Sequence, residues 1–475
     1  MRGLWHRVQK ELSSETRSAV PFAPKRGVDM FNPKKYKTKG YMHFDHRINI
    51  EKVESYVTDQ EKVAKHSFLP FIFYVSSFDK YIGKPNPDRN NRPIDDKERE
   101  IMYAGHLDGF IYKYYAEQLN TRYNNITDKH KIDECSTAYR NNKKSHSNIE
   151  FAAEVINTTV NYEEAYILVG DFTKFFNKIN HRLLKELLME VLGVNKLSDD
   201  WYNIYRSITK YGYYEKSFLQ TIPEIVNRIN NKKHKSYFKS LREFRKFQRM
   251  HPCEYNSKKC GIPQGSAISV VFANIYALYF DIAMKKLSQQ YDGIYRRYSD
   301  DFIIVIPKKS KNGTISINEF KEIEKKIRDI SDKNKIELQE SKTELLAYRN
   351  KQIYRMNDSE KHHLDYLGFI FDGQTVKMRG KSPYKFYREA YKLIDYAKKI
   401  KYKKNLSKLP YRKQIYGLYT DLGIDQGEHG NFITYAKRAQ KKFDEISPNT
   451  TNLMMNQIKN RKKKIEKRLG VRIHV

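Results

Sequence analysis

Two short apolar runs that end on carboxylates constrain this chain more than any other feature. Ala165 to Phe172 reads AYILVGDF, almost unbroken apolar sequence closed by Asp171. A run of that length and character predicts a strand buried on both faces. Gly293 to Ile306 reads GIYRRYSDDFIIVI and predicts two strands joined by a tight turn at Ser299, Asp300 and Asp301. Buried carboxylates are costly unless a cation or a basic partner offsets them. The chain is strongly basic: 90 Lys and Arg stand against 56 Asp and Glu, a net charge of +34. In that setting three acids at strand ends suit divalent metal used for phosphoryl transfer. Two Mg²⁺ ions (or Mn²⁺) would activate a 3′-hydroxyl and stabilise a departing pyrophosphate. Asp95-Asp96 and Asp199-Asp200 are also adjacent acids. Neither flanks an apolar run, so adjacency alone is uninformative.

So large a positive charge calls for a polyanion, and nucleic acid is the natural one, with counterion release driving binding. A solvated basic surface, or a genome biased toward Lys, Asn and Tyr, would give the same count. The hydrophobic fraction is 39%, but 37 Tyr and 25 Phe supply a folding core that disordered chains lack. Only Cys135, Cys253 and Cys260 are present, which excludes a disulfide scaffold. His251, Cys253 and Cys260 lack a second close ligand pair and read as a plain loop, not a zinc site. The most apolar stretch, Phe68 to Phe78, is too short to span a bilayer. Met1 to Ser14 carries charges where a signal peptide would be apolar. A reducing, cytoplasmic setting with no membrane partner is expected.

Along the chain, Met1 to Lys39 reads as a basic arm with one short helix at Trp5 to Leu12. Val63 to Tyr81 suits a core helix or strand, and Lys84 to Pro93, with three prolines, reads as a loop. Glu100 to Tyr123 has apolar residues at helical spacing. A second amphipathic helix ends at Gly193, a third covers Ile268 to Leu287, and a fourth covers Glu319 to Ile330. Leu364 to Phe371 reads as a strand pair or a strand with a bulge. From Pro383 onward the chain is helical and basic.

The order of the motifs then carries a resemblance. VGDFTKFFNKI, GIPQGSAISVVFANIY, YRRYSDDFIIV, ESKTELL and YLGF resemble the successive palm boxes of reverse transcriptases. The Pro-Gln-Gly and Tyr-x-Asp-Asp boxes are the specific ones. KEREIMYAGHLDGFIYKYY and AYRNNKKSHSNIEFA resemble the fingers blocks of bacterial members, including those of retrons and group II introns. The later YGLYTDLG and GNFITYAKRA are similar to a helical thumb. The resemblance implies an α+β right-hand fold. Its parts would be an N-terminal arm (1–60), fingers (61–164), a palm with an antiparallel sheet (165–382) and a basic helical thumb with a tail (383–475).

It also implies site roles. Asp171 and Asp300 would bridge the metals, with Asp301 nearby and the Phe172 carbonyl completing one site. Phe176 would exclude a ribose 2′-hydroxyl, so that dNTPs are preferred. Gln264 would bond near the sugar, and Gly265 would let the backbone approach. Arg140, with Lys143 or Lys144, would hold the triphosphate, with Lys97 and Arg99 as further candidates. A solvated basic face is the rival reading for these cations. Lys342 would donate a proton to pyrophosphate.

The sequence departs from the retron pattern at Ser266-Ala267-Ile268-Ser269 and lacks its other boxes. A stand-alone bacterial enzyme of the abortive-infection or defence-associated "unknown group" remains, copying a dedicated noncoding RNA into DNA in antiphage defence. A homo-oligomer or a partner defence protein would fit such a system. Alternatives are a retron-type or intron-type enzyme, a protein-primed or template-independent polymerase, an RNA-directed RNA polymerase, and a non-enzymatic RNA-binding scaffold. The segment from about 198 to 259 interrupts the palm as a helical insertion. Phe238, Phe244 and Phe247 would pack inward, leaving Lys239, Arg242, Arg245, Lys246 and Arg249 outward, for an RNA or a second protomer.

Overall fold

The computed structural model describes residues 31–473, apart from 144–145, 232, 312 and 425–429. The expected helix at Trp5 to Leu12 lies outside the described residues. The chain packs as two units. One holds the chain up to Tyr74, then Ile101–Ile126 and Ile179–Tyr276; the other holds Val75–Glu100, Thr127–Lys178 and the chain from Ala277 on.

The first unit is built around aromatic side chains. Phe44, Ile72, Tyr214, Tyr237, Phe238, Phe244 and Phe247 form one buried cluster. Phe44 stacks on Phe244 with ring centroids 4.4 Å apart. Phe44 is thus part of a core, and Tyr36, Ile50 and Val57 are buried as well, whereas the sequence reads as an arm as far as residue 60. Phe71–Phe73 pairs in parallel with Tyr213–Glu215, and Gly212–Tyr213 pairs antiparallel with Glu254–Tyr255. The insertion helix Leu241–Met250 begins at Ser240, whose hydroxyl accepts the Glu243 amide. It buries Phe244 and Phe247, and Arg242, Arg245, Lys246 and Arg249 are exposed.

Two expectations need correction. The strand Phe71–Asn86 continues through Lys84 and Pro85, and the next strand, Arg92–Tyr103, includes Pro93. Only residues 87–91 make the turn, with Asn90 and Asn91 at φ 55° and 56°. Proline is tolerated because Pro93 lies on the edge strand of its sheet and Pro85 lies beyond the residues paired with Gly212–Glu215. The long helix starts at His106, not near Glu100. Asp45 fixes that start, its Oδ2 accepting the amides of His106 at 2.7 Å and Leu107 at 3.1 Å.

The second unit carries a six-stranded sheet. Its order is Lys361–His362, Gln352–Arg355, Glu344–Arg349, Ala165–Asp171, Asp301–Pro307, Ile294–Tyr298. Each strand pairs antiparallel with the next in that order. Ala165–Asp171 is central and buried on both faces except at Val169. The helices Asn148–Asn161 and Phe432–Ile446 pack into the same core as this sheet, through Ile149, Val155, Ile433 and Phe443. Leu364–Tyr366 and Phe369–Phe371 form the expected strand pair. Leu367 and Gly368, at φ 47° and 93°, make its turn. The apolar run expected as one helix is two, Ala267–Tyr276 and Leu278–Gln289. Among the described residues no single helix is long and apolar enough to cross a membrane, and only this broken pair reaches the required length and composition together.

Candidate active site

Strand register brings the acids together. Ala165–Asp171 pairs with Asp301–Pro307 so that Asp171 lies opposite Asp301. The Phe172 amide donates to the Asp300 carbonyl at 3.1 Å, which ties the end of one strand to the turn of the other. Beneath them is an aromatic floor: the Phe172 ring lies 4.9 Å from Phe175, 5.2 Å from Phe280 and 5.6 Å from Phe302. Gly170 is required there, because a Cβ would stand 2.4 Å from the Phe302 ring.

The turn itself is braced from below. Arg297 has no exposed surface and donates to Asp281 through Nε at 2.8 Å and Nη2 at 2.7 Å. It also donates to the Ser299 carbonyl at 2.8 Å and to the Ser136 hydroxyl at 3.1 Å. The Tyr295 hydroxyl adds a bond to Asp281 at 2.7 Å. Ser299 can therefore hold φ 63°, in the left-handed region, immediately before Asp300.

Charge is crowded here. Lys342 Nζ donates to Asp171 Oδ2 at 2.5 Å. Asp301 keeps one side open to solvent, but protein crowds the others. That loss of water, then Asp300 and Asp171, push its carboxyl up to about 7, against the pull of Lys342 and Arg379. Water at the open side makes this the upper reach of the shift. Burial lowers Lys97, as do Arg99, Lys342 and Lys80, while Asp171 opposes the change. Lys381 is lowered by burial and then by Lys97 and Arg99. Arg99 and Lys381 both lie over the Phe78 ring, at 5.4 Å and 5.6 Å. Acids and cations thus stand together, a fitting place for a phosphate chain and its counter-ions.

Among the described residues no cluster of three or more His, Cys, Asp or Glu stands preassembled around a metal position. The donor chemistry nonetheless fits a hard divalent cation. All three side chains offer carboxylate oxygens, and the raised Asp301 carboxyl is one that added positive charge would ionise.

The sequence profile of the reverse transcriptase (RNA-dependent DNA polymerase) family matches residues 82–371. The chain belongs to that family. Its fold is the α+β right-hand polymerase fold. No curated protein matches the chain. Among solved structures it is similar to telomerase of Candida albicans in complex with a TWJ fragment of telomeric RNA, at 11% identity and TM-score 0.40. It is also similar to apo telomerase of Candida tropicalis, at 12% identity and TM-score 0.43. The matches cover 88% and 91% of this chain and 66% of each telomerase chain, just under two thirds of their length.

The other expected site residues are placed unevenly. Phe172 and Phe176 are buried; Phe176 sits on the short helix Phe175–Lys178 with its ring 6.1 Å from Phe175. Lys97 and Arg99 share the cationic cluster with Lys342. Lys144 lies outside the described residues. Arg140 differs from expectation. Its guanidinium is buried and bonded to the Ser136 carbonyl at 2.9 Å, Thr127 Oγ1 at 2.8 Å and Asp133 Oδ1 at 2.5 Å. Burial opposes the Asp133 charge, but Lys143, Asn142 and Arg140 outweigh it and hold the carboxyl at about 2. Arg140 thus pins a loop, because its donors are already used.

Gln264 and Gly265 belong to the other unit. The Gln264 carbonyl accepts the Met102 amide at 2.8 Å. Gly265, at φ 127°, faces the Met102 carbonyl, which would lie 2.5 Å from a Cβ. Sequence reasoning missed Arg297 and Asp281. The signal was present: period-two alternation puts Tyr295 and Arg297 on one face, and a buried arginine demands an acid.

Proposed function

We infer that this protein is an RNA-directed DNA polymerase that adds dNTPs to a 3′-hydroxyl. The observation that carries the reading is the register of Asp171 against Asp301, with Asp300 on the braced turn. Asp171, Asp300, Asp301 and the Phe172 carbonyl would hold two Mg²⁺. Bound there, the ions supply an activated 3′-oxygen and charge neutralisation at the leaving pyrophosphate. Lys342, whose Nζ donates to Asp171 Oδ2, would supply a proton to a departing phosphate oxygen. Lys97 and Arg99 orient the triphosphate. Phe176 limits the space at the sugar, and Gln264 and Gly265 serve the nucleotide as the motif resemblance implies.

In this reading the chain divides into fingers, palm and basic thumb within the boundaries expected from its sequence. The finer proposal is a bacterial, cytoplasmic enzyme that copies a dedicated noncoding RNA in antiphage defence. The charge of +34 and the motif resemblance support it. The test is incorporation of labelled dNTPs or NTPs on a primed RNA template. dNTP-dependent extension supports the reading; extension with NTPs alone, or none with either, refutes it.

A further inference from the structure

The first unit contains a cavity of about 400 Å³, in part built by the insertion. Phe68, Phe71, Tyr211, Phe244 and Tyr255 supply aromatic walls, and Leu241 adds an apolar edge. Tyr255 is 64% exposed and Leu241 41% exposed, so apolar surface reaches solvent here. Lys210 and Arg245 line the same cavity, with Gln248, Ser67 and Ser207 as neutral polar groups.

Charge tells what such a cavity would take. Arg245 lies on the exposed face of Leu241–Met250 with Arg242, Lys246 and Arg249. None of these four has an ion-pair partner among the described residues. The one acid of that helix, Glu243, is engaged locally, accepting the Lys239 amide at 2.5 Å. The acids of the cavity are also committed. Asp45 Oδ2 caps the His106 helix, and Asp108 bonds His66 Nε2 at 2.8 Å and the Leu69 amide at 2.9 Å. An aromatic recess beside an unneutralised cationic helix face matches a flat base joined to a phosphate backbone. The volume falls within the small-ligand range of roughly 300–1,000 Å³.

We propose that this cavity receives an unpaired base of single-stranded RNA while the Arg242, Arg245, Lys246 and Arg249 face holds the flanking phosphates. RNA is favoured over DNA because the exposed Ser67 hydroxyl and the Gln248 carboxamide oxygen offer neutral hydrogen-bonding groups of the kind a ribose 2′-hydroxyl can use. The proposal rests on the reading of the protein as an RNA-copying polymerase and gives it a further RNA-binding surface.

The test uses the full chain and an oligouridine RNA carrying one 4-thiouridine, with its DNA counterpart as control. Ultraviolet crosslinking followed by peptide mapping should place the RNA on Tyr211 or the 241–255 segment. Tyr255→Ala should weaken RNA binding roughly tenfold. Arg242→Glu with Arg245→Glu and Arg249→Glu should flatten the salt slope by about 0.7 for each phosphate no longer neutralised. Both variants should extend a supplied primer-template at the wild-type rate, so an inactive wild type would sink the polymerase reading while leaving the crosslink result to stand by itself. Crosslinks only elsewhere, equal capture of the DNA, or unchanged RNA binding by both variants would overturn the proposal. So would a change of oligomeric size in light scattering with RNA binding intact, since the face would then be a protomer interface.

Discussion

Arg297 shows how one side chain underlies the site without touching a substrate. Its pairing with Asp281 is fully buried, so removing one partner strands a charge. Arg297→Met is expected to cost roughly 3–5 kcal/mol in urea unfolding. Arg297→Met with Asp281→Leu should recover most of that, and a single variant as stable as wild type would show the turn is held by other means. Asp301 gives a pH signature. Its carboxyl is raised from an ordinary 3.8 to about 7, so the folded chain keeps a proton that the unfolded chain has lost. That contribution is full below about pH 4 and disappears as pH rises through about 7. Metal-free protein should therefore lose melting temperature between about pH 5 and 7, and Asp301→Asn should flatten this dependence. Mg²⁺ should stabilise wild type more at pH 8 than at pH 6, because the proton and the cation compete for one carboxylate. Equal stabilisation at both would separate Asp301 from the metal.

At the scale of elements, the hairpin of Phe71–Asn86 and Arg92–Tyr103 is the least anticipated part. Its far portion rests on the helix Lys381–Lys403. Asp79 takes Arg89 at 3.1 Å and also Arg388, and Tyr81 packs on Tyr384 at 5.0 Å. Lys97 and Arg99 lie on this hairpin. Tyr81→Ser with Arg388→Glu should expose the hairpin to limited proteolysis and raise the KM for dNTP several-fold, with kcat less affected. Unchanged proteolysis and KM would assign this packing no part in positioning those cations. The far part of the hairpin was illegible because residues 79–86 and 92–100 are polar and mostly half-buried or exposed, without the alternation that marks a strand, and because its prolines read as a loop. The strands bearing the acids were legible for the opposite reason: burial on both faces leaves nothing but apolar residues. Arg140 misled because charge in a sequence does not reveal whether Asp133 is folded beside it. The helix start at His106 was hidden because its cap, Asp45, is distant in sequence.

Across the whole molecule, the +34 charge is spread unevenly in role. Some cations are spent internally, as with Arg297 and Arg140. Others, including Lys399, Lys401, Lys403 and Lys404, are exposed near the end of the Lys381–Lys403 helix. Reversing Lys399, Lys401 and Lys403 should weaken duplex binding evenly across sequences and reduce the salt slope by about 0.9 for each phosphate left unneutralised. A slope equal to wild type would return them to solvent. The same logic separates a basic surface that binds from one that merely keeps the chain soluble. The carboxylates remain the decisive point, because the proposed chemistry runs through them. The direct measurement is dNTP incorporation on a primed RNA template by Asp300→Asn with Asp301→Asn, alongside its melting temperature. A variant that melts no lower than wild type and incorporates nothing is predicted; one that incorporates at the wild-type rate would contradict the assignment of this site.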